Sequence, residues 1–251
     1  MLHWTSRGLE IVELWFDEVL PQGVQPDIVR HRQAFEPKAA VASDFYTLTT
    51  DLTLDPEALL AQVQKETRYE IRRAQEKDQA LLEAWDGKDS AFFDQFVAFY
   101  QEFAAQKGLQ ALDPQHLRLM ASAGRLDLSR ARIATEAEAL VYHAHYRHGG
   151  RARLLHSASR FRGSSDSGFR ALVGRVNRWL HWQDLTRFKA NGTTWYDWGG
   201  WYEGQEDQDR LRINQFKESF GGTQLRTYNC EVLRSTKARI LAGIARLLGR
   251  R

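Results

Sequence analysis

Between residues 120 and 201 the apolar pattern of this chain changes period, and that change limits what it can fold into. Residues 130–135, 139–147 and 151–157 alternate with period 2, the mark of strands, and His148-Gly149-Gly150 between the last two is a hairpin signal. Three consecutive antiparallel strands are expected. A Ser- and Gly-rich loop, residues 159–168, comes next. Phe169, Leu172, Val173, Val176, Leu180, Leu185 and Phe188 then recur at helical spacing until Asn191-Gly192 ends the helix. The run Thr193-Thr194-Trp195-Tyr196-Asp197-Trp198 is β-prone and closes on Gly199-Gly200. A polar loop leads into another helix, closed by Gly221-Gly222.

The flanks fit the same mixed class. Residues 10–55 read as β-rich, with strands over 9–16 and 45–54 and prolines 21, 26 and 37 between them. Asp55-Pro56 starts a helix in which Leu59, Leu60, Val63, Thr67, Ile71 and Ala74 form one buried stripe. Arg68, Arg72 and Arg73 lie off that stripe as a basic surface. Solvation and pairing with Glu66, Glu70 and Glu76 is their simplest role, ahead of binding a substrate anion. A helix over 90–107 is dense in Phe and ends at Gly108, and Asp113-Pro114 opens a short one with Leu117 and Met120 inward. A strand through Leu233 and a helix capped by Ser235 close the chain, with Ile240, Leu241, Ile244, Leu247 and Leu248 expected inward.

With 251 residues, 43% of them apolar, the chain can bury one large core or two small ones. Its apolar runs are too short to cross a bilayer and its start does not resemble a signal peptide, so a cytoplasmic location is expected. The single cysteine, Cys230, rules out an intramolecular disulfide and a cysteine-rich metal site, and reads as a small core residue. The net charge of +3 is uneven, with Lys and Arg gathered over 65–77, 145–162 and 246–251. Solvated helix faces account for most of it, and a phosphate-bearing partner is the minority reading.

Chemistry can reside in few places. A small-residue loop entering a helix presents backbone N–H groups and a positive dipole end, so Arg160, Gly163 and Ser165 are candidates to hold phosphate. Gly199 and Gly200 let backbone approach a ligand, and Lys217 in the next helix brings a cation towards them; an ordinary turn explains the glycines equally well. Asp197 could accept an ammonium or simply orient the turn. His143 and His145 share one strand face, and with His148 and His156 they raise a metal site, but no carboxylate or cysteine completes a set. Packing is the first reading, a general base the second, and no metal is assigned. Trp179, Trp182, Trp195, Trp198 and Trp201 are mostly core, with one or two near the diglycine left to line an acceptor pocket.

Three segments carry a resemblance. Arg68-Tyr69-Glu70-Ile71-Arg72-Arg73-Ala74 looks like the R-x-x-I-R-R-A helix of the FemAB-like branch of the GNAT acyltransferases. Tyr196-Asp197-Trp198-Gly199-Gly200 resembles its Y-D-F-G-G strand end, and Phe216-Lys217-Glu218-Ser219-Phe220-Gly221-Gly222 its F-K-x-x-F-G-G segment. The loop from Arg160 imperfectly echoes the GNAT pyrophosphate loop. The resemblance implies an α/β fold with a central, mostly antiparallel sheet flanked by helices and opened by a splayed strand pair. It implies a complete acyltransferase domain over residues 56–251, preceded by a reduced first unit over residues 1–55, without a helical arm.

The activity so implied is N-acyl transfer to an amine, forming an amide, with aminoacyl-tRNA or acyl-CoA as donor and no tightly bound cofactor. The FemAB-type motifs favour tRNA as partner, and the Arg160–Ser165 loop favours the thioester. Lys217 is expected to stabilise carbonyl charge or donor phosphates, with Phe216 beside it and backbone N–H groups at Gly199 and Gly200 assisting. Trp198, Trp201, Tyr196, His143 and His145 are the expected acceptor-side residues, the acceptor being a small-molecule or peptide amine. The rival from another class is a catalytically silent module that docks RNA or a protein, since no unmistakable nucleophile or triad is present.

Overall fold

The computed structural model describes residues 1–163 and 165–247. The strands are β1 (Leu2–Ser6), β2 (Leu9–Trp15), β3 (Ile28–Ala34), β4 (Ala42–Asp51), β5 (Ala80–Ala84), β6 (Leu126–Ile133), β7 (Val141–His148), β8 (Arg151–Ser159), β9 (Trp195–Gly200) and β10 (Thr223–Leu233). The helices are α1 (Pro56–Gln62), α2 (Lys65–Glu76), α3 (Ser90–Lys107), α4 (Pro114–Ser122), α5 (Ser167–Ala190), α6 (Gln208–Glu218) and α7 (Thr236–Leu247). This is the mixed α/β class expected, but the chain divides differently. One compact unit joins residues 1–47 to the segment beginning at Gln224, and the other is residues 48–223. The expected boundary at 55 moves because β10 pairs antiparallel with β3 and so belongs with the N-terminal strands.

In the smaller unit the strand order is β1-β2-β3-β10-β4, with β2 and β3 parallel. Leu9, Ile11, Ile28 and Ala238 form one small core and Val12, Leu14 and Val29 another. Ser235 caps α7 as expected, accepting from Ala238 N at 3.1 Å. The inward stripe assigned to that helix does not hold: Ile240, Leu241, Ile244 and Leu247 are exposed, and among the described residues of α7 Ala238 alone is buried. The helix is long enough to carry an apolar face, yet it is buried only at its first turn. Leu248 and the end of the basic tail lie outside the described residues.

The larger unit holds the strand order β4-β9-β8-β7-β6-β5, in which β5 to β8 pair antiparallel and β8 with β9 parallel. Gly149 and Gly150 turn β7 into β8 with φ of 56° and 73°, the left-handed pair that a two-residue hairpin requires. Neighbouring residues of β7 point to opposite faces. Tyr142 meets Phe92, Phe96 and Phe99 of α3, while His143 meets His181 and Asp184 of α5. α5 is thus sunk against one face, with Val173, Val176, Leu180, Leu185 and Phe188 in a core that also takes Leu48, Leu59, Ile71, Trp198 and Phe220.

The single helix expected over 56–76 is two. Val63 is extended (ψ 131°), Gln64 N donates to Ser219 O at 2.8 Å, and Leu60, placed on the buried stripe, is exposed. Arg68 holds the break by donating to the carbonyls of Leu60 (3.2 Å) and Val63 (2.7 Å), so it is a helix-end clasp rather than free surface charge. Glu70, expected to pair locally, reaches Arg178 of α5 at 2.7 Å instead. Arg72 and Arg73 are exposed. Among the described residues no helix is long and apolar enough to cross a membrane.

Candidate functional site

β8 and β9 run parallel and stay in register for only three pairs, ending at Arg153↔Asp197. A bulge then shifts the pairing of β8 with β7, so that Ala144 faces His156 and His145 faces Leu154, leaving Leu155 extra. β8 continues to Ser159 and β9 to Gly200 without further mutual pairs. The strand pair therefore opens beyond Leu154. Gly199 sits where they begin to part: its φ is +74°, and a Cβ there would lie 2.8 Å from Leu154 O. Glycine is required on both counts.

Lys217 is carried to this opening by α6. Asp207 caps the helix by accepting from Asp209 N and Arg210 N, and the turn after it ends in Gly221 and Gly222. Gly222 (φ +116°) packs so closely on Thr49 that a Cβ would stand 2.7 Å from its carbonyl. Fixed at both ends, the helix buries Lys217, whose ammonium donates to Gly199 O at 3.4 Å and to Gly200 O. Burial lowers its pKa to about 8, with Arg153 acting in the same direction and Asp197 opposing. An ammonium has three hydrogens, and these two carbonyls take two.

Asp197 is fully buried and accepts from Gly199 N at 2.8 Å, so it orients the bend. The N–H of Gly199, expected to assist a developing oxyanion, is thereby committed to a carboxylate. Phe216 is half-buried, between the guanidinium of Arg178 (5.1 Å from its centroid) and the His181 ring (5.3 Å). Gly200 is exposed and Trp201 half-exposed at the mouth. Tyr196 and Trp198, expected to line an acceptor pocket, are core: the Trp198 indole donates to Thr50 Oγ1 at 2.9 Å and Tyr196 OH meets His145 Nε2 at 3.0 Å.

His143 and His145 are likewise fully buried, and the carboxylate that seemed to be missing is Asp184 of α5. His143 Nδ1 lies 2.8 Å from Asp184 Oδ2, its Nε2 lies 3.1 Å from Asn177 Oδ1, and Ser129 donates to Asp184 Oδ2 at 2.9 Å. Arg187 bridges Asp184 (2.9 Å) and Asp127 (2.6 Å). Burial alone would raise the Asp184 pKa; His145, His143 and Arg187 more than offset it and hold the group ionised. Desolvation lowers His145 to about 4 and drives His181 well below its ordinary value. Donor atoms of His143, His145 and Asp184 converge within 4.8 Å, a spacing open to a metal ion, yet here they bond to one another and to Tyr196, Ser129 and Arg187. The arrangement is a buried polar cluster in which Asp184 stays ionised beside Arg187 while burial disfavours the charged forms of His145 and His181. Its sequence signal was His181-x-x-Asp184-x-x-Arg187, polar residues at helical spacing beside an apolar stripe.

The loop before α5 is electrostatically unlike a phosphate cradle. Arg160 donates to Glu138 and stacks over Phe99 at 5.8 Å. Asp166 caps α5 by accepting from Gly168 N at 2.8 Å, placing a carboxylate at the helix mouth. Ser165 is exposed, and Gly163 ends a short 3-10 turn over Arg160–Gly163. These residues follow the C-terminal end of β8, the direction in which β9 also runs to the diglycine bend.

No family model matches the sequence, and no curated protein matches it either. Solved structures do. The chain is similar to FemX (TM-score 0.60, 12% identity, 79% of this chain and 63% of that one). It is also similar to the C-terminal DUF2156 domain of a putative lysylphosphatidylglycerol synthetase from Agrobacterium fabrum (TM-score 0.54, 14% identity, 88% and 72%) and to L-PGS from Bacillus licheniformis (TM-score 0.52, 13% identity, 89% and 74%). The chain thus spans under two thirds of FemX. With its parallel pair that parts beyond three residues and its helices on both sheet faces, it has the GNAT-like fold in the form found in FemX and the lysylphosphatidylglycerol synthetases.

Proposed function

We propose that this protein is an N-acyltransferase of the FemAB-like type, moving an aminoacyl unit from aminoacyl-tRNA onto an amine. The observation that carries the reading is the buried Lys217 ammonium at the point where β8 and β9 part, with one hydrogen left after the Gly199 and Gly200 carbonyls are served. A carbonyl held there meets a fixed positive charge. As the acceptor nitrogen adds to the ester carbon, the oxygen gains negative charge and Lys217 stabilises it. The C–N bond forms, the C–O bond to the tRNA ribose breaks, and the proton lost by the amine ends on the ribose oxygen.

Acyl-CoA is the second donor to test, and the charge pattern at α5 argues against it. A diphosphate would face Asp166 at the helix mouth and an Arg160 already neutralised by Glu138. The exposed Arg72 and Arg73 suit a nucleic-acid backbone better. One of the similar proteins is named for making lysylphosphatidylglycerol, an aminoacylated product, which agrees with an aminoacyl donor. The test is to offer labelled aminoacyl-tRNA and acyl-CoA with a panel of amines and assay for amide product. Label transferred from tRNA and lost in Lys217→Met supports the proposal, and transfer from neither donor refutes it.

A further inference from the structure

Further along β8, a cavity of ≈ 440 Å³ is bordered by Phe99, Glu102, Phe103, Glu138, Arg160 and Phe169. Its size suits a small-molecule site. Three aromatic rings and two carboxylates select for positive charge, and the chain supplies its own examples: Arg160 lies over Phe99 and pairs with Glu138, while Lys107 sits 4.7 Å over Phe103. Glu102 takes a hydrogen bond from Gln106 at 3.2 Å and has no cationic partner among the described residues. The lining therefore keeps one carboxylate uncompensated. Ser159, also on the wall, is five residues past Leu154, so the cavity lies about 16 Å along the strand from the diglycine bend.

We infer that this cavity holds a second cationic nitrogen of the acceptor, an alkylammonium group seated between the Phe rings and Glu102 in competition with the Arg160 guanidinium. The inference rests on the proposed transfer to an amine, and it adds that the acceptor carries a second, protonated nitrogen at a reach of about 16 Å from the reacting one. An oligoamine and a lysine-containing peptide share that chemistry.

Calorimetric titration of the full chain with spermine, and separately with a tetralysine peptide, in the absence of donor tests the site. Binding of either supports the inference and identifies the source; binding of neither overturns it. Glu102→Gln should weaken binding about tenfold, and Phe99→Leu about threefold through loss of a cation–π face. Arg160→Ala gives the decisive sign. If the site takes a cation, removal of the internal competitor tightens binding several-fold; if Arg160 serves a bound anion, spermine binding stays the same or weakens, and the inference falls. Melting curves of each variant separate these effects from unfolding. Because titration needs no turnover, a parent protein that binds neither spermine nor tetralysine yet transfers to simple monoamines would sink this inference alone. Spermine binding without transfer from any donor would sink the proposed function alone.

Discussion

Lys217→Met separates chemistry from architecture at the diglycine bend, because its two consequences are expected to differ widely. A pKa of about 8 in place of 10.5 means that the folded surroundings oppose the ammonium by ~3 kcal/mol, at ~1.4 kcal/mol per pH unit. Methionine of similar length removes that cost. It also strips a charged donor from Gly199 O and Gly200 O, each such bond contributing about 1.5–3 kcal/mol. Gly200 is exposed and its carbonyl can rehydrate, so the larger loss falls on buried Gly199. The two sides nearly cancel. Thermal unfolding should then move by no more than about 4 °C, equivalent to ~1 kcal/mol for a chain of this size. Turnover should fall about 10²- to 10³-fold, the effect of removing one oxyanion donor. Scanning calorimetry and single-turnover transfer on the same preparation measure both. A variant that melts well below the parent but transfers within about threefold of it would show Lys217 to be a clasp for the bend, and the reasoning would fail.

Turnover in the parent should also decline as pH rises through about 8, where the ammonium discharges, and a pH–rate profile of kcat would check it. Gly199→Ala combines a left-handed φ with a Cβ 2.8 Å from Leu154 O, and should cost about 2–5 kcal/mol by urea unfolding, with transfer lost in the surviving folded fraction. His145, neutral in the fold down to about pH 4, takes a proton near 6.5 once unfolded, so the unfolded state binds more protons between those values. Stability should be complete above about 6.5 and fall as pH drops towards 4, and His145→Gln should flatten that slope in melts run from pH 7 to 4.5. Arg68→Ala unties the end of α1 and should lower stability by about 1–2 kcal/mol in chemical denaturation without changing transfer chemistry.

Much of this molecule can be read from residue order because local rules and the fold agree where turns are made. Gly149-Gly150, Gly199 and Gly222 are each demanded by a positive φ, and Asp89, Asp113 and Asp166 each cap the helix they precede. The reading failed where a long-range partner decided. Val63 leaves the helix because Gln64 N finds Ser219 O, more than 150 residues away, and no local propensity encodes that bond. β5, with its five residues Ala80–Ala84, is held by β6 and by Glu83 gripping Arg130 and Arg132, and is too short to announce itself. Ile240, Leu241, Ile244 and Leu247 have the spacing of a buried stripe, but periodicity reports amphipathicity and not what covers the apolar face.

The histidines illustrate the same limit at the site. Two on one strand face read as packing first, because residue order offers no carboxylate that completes a set with them, and the acid that meets them is distant in the chain: α5 delivers Asp184 between them from 39 residues beyond His145. Burial lowers His145 and His181 despite that carboxylate, and His145, His143 and Arg187 together keep Asp184 ionised against its own burial. The same helix turns His181 against Phe216, whose neighbour Lys217 lowers the His181 pKa further. The reverse influence is absent near pH 8, where His181 is already uncharged and the Lys217 pKa is set by burial, Arg153 and Asp197. On this arrangement Asp184→Asn should lower Tm and leave the falling limb of the pH–rate profile at about 8, and a limb that moves with the variant would overturn that separation of the buried network from the lysine.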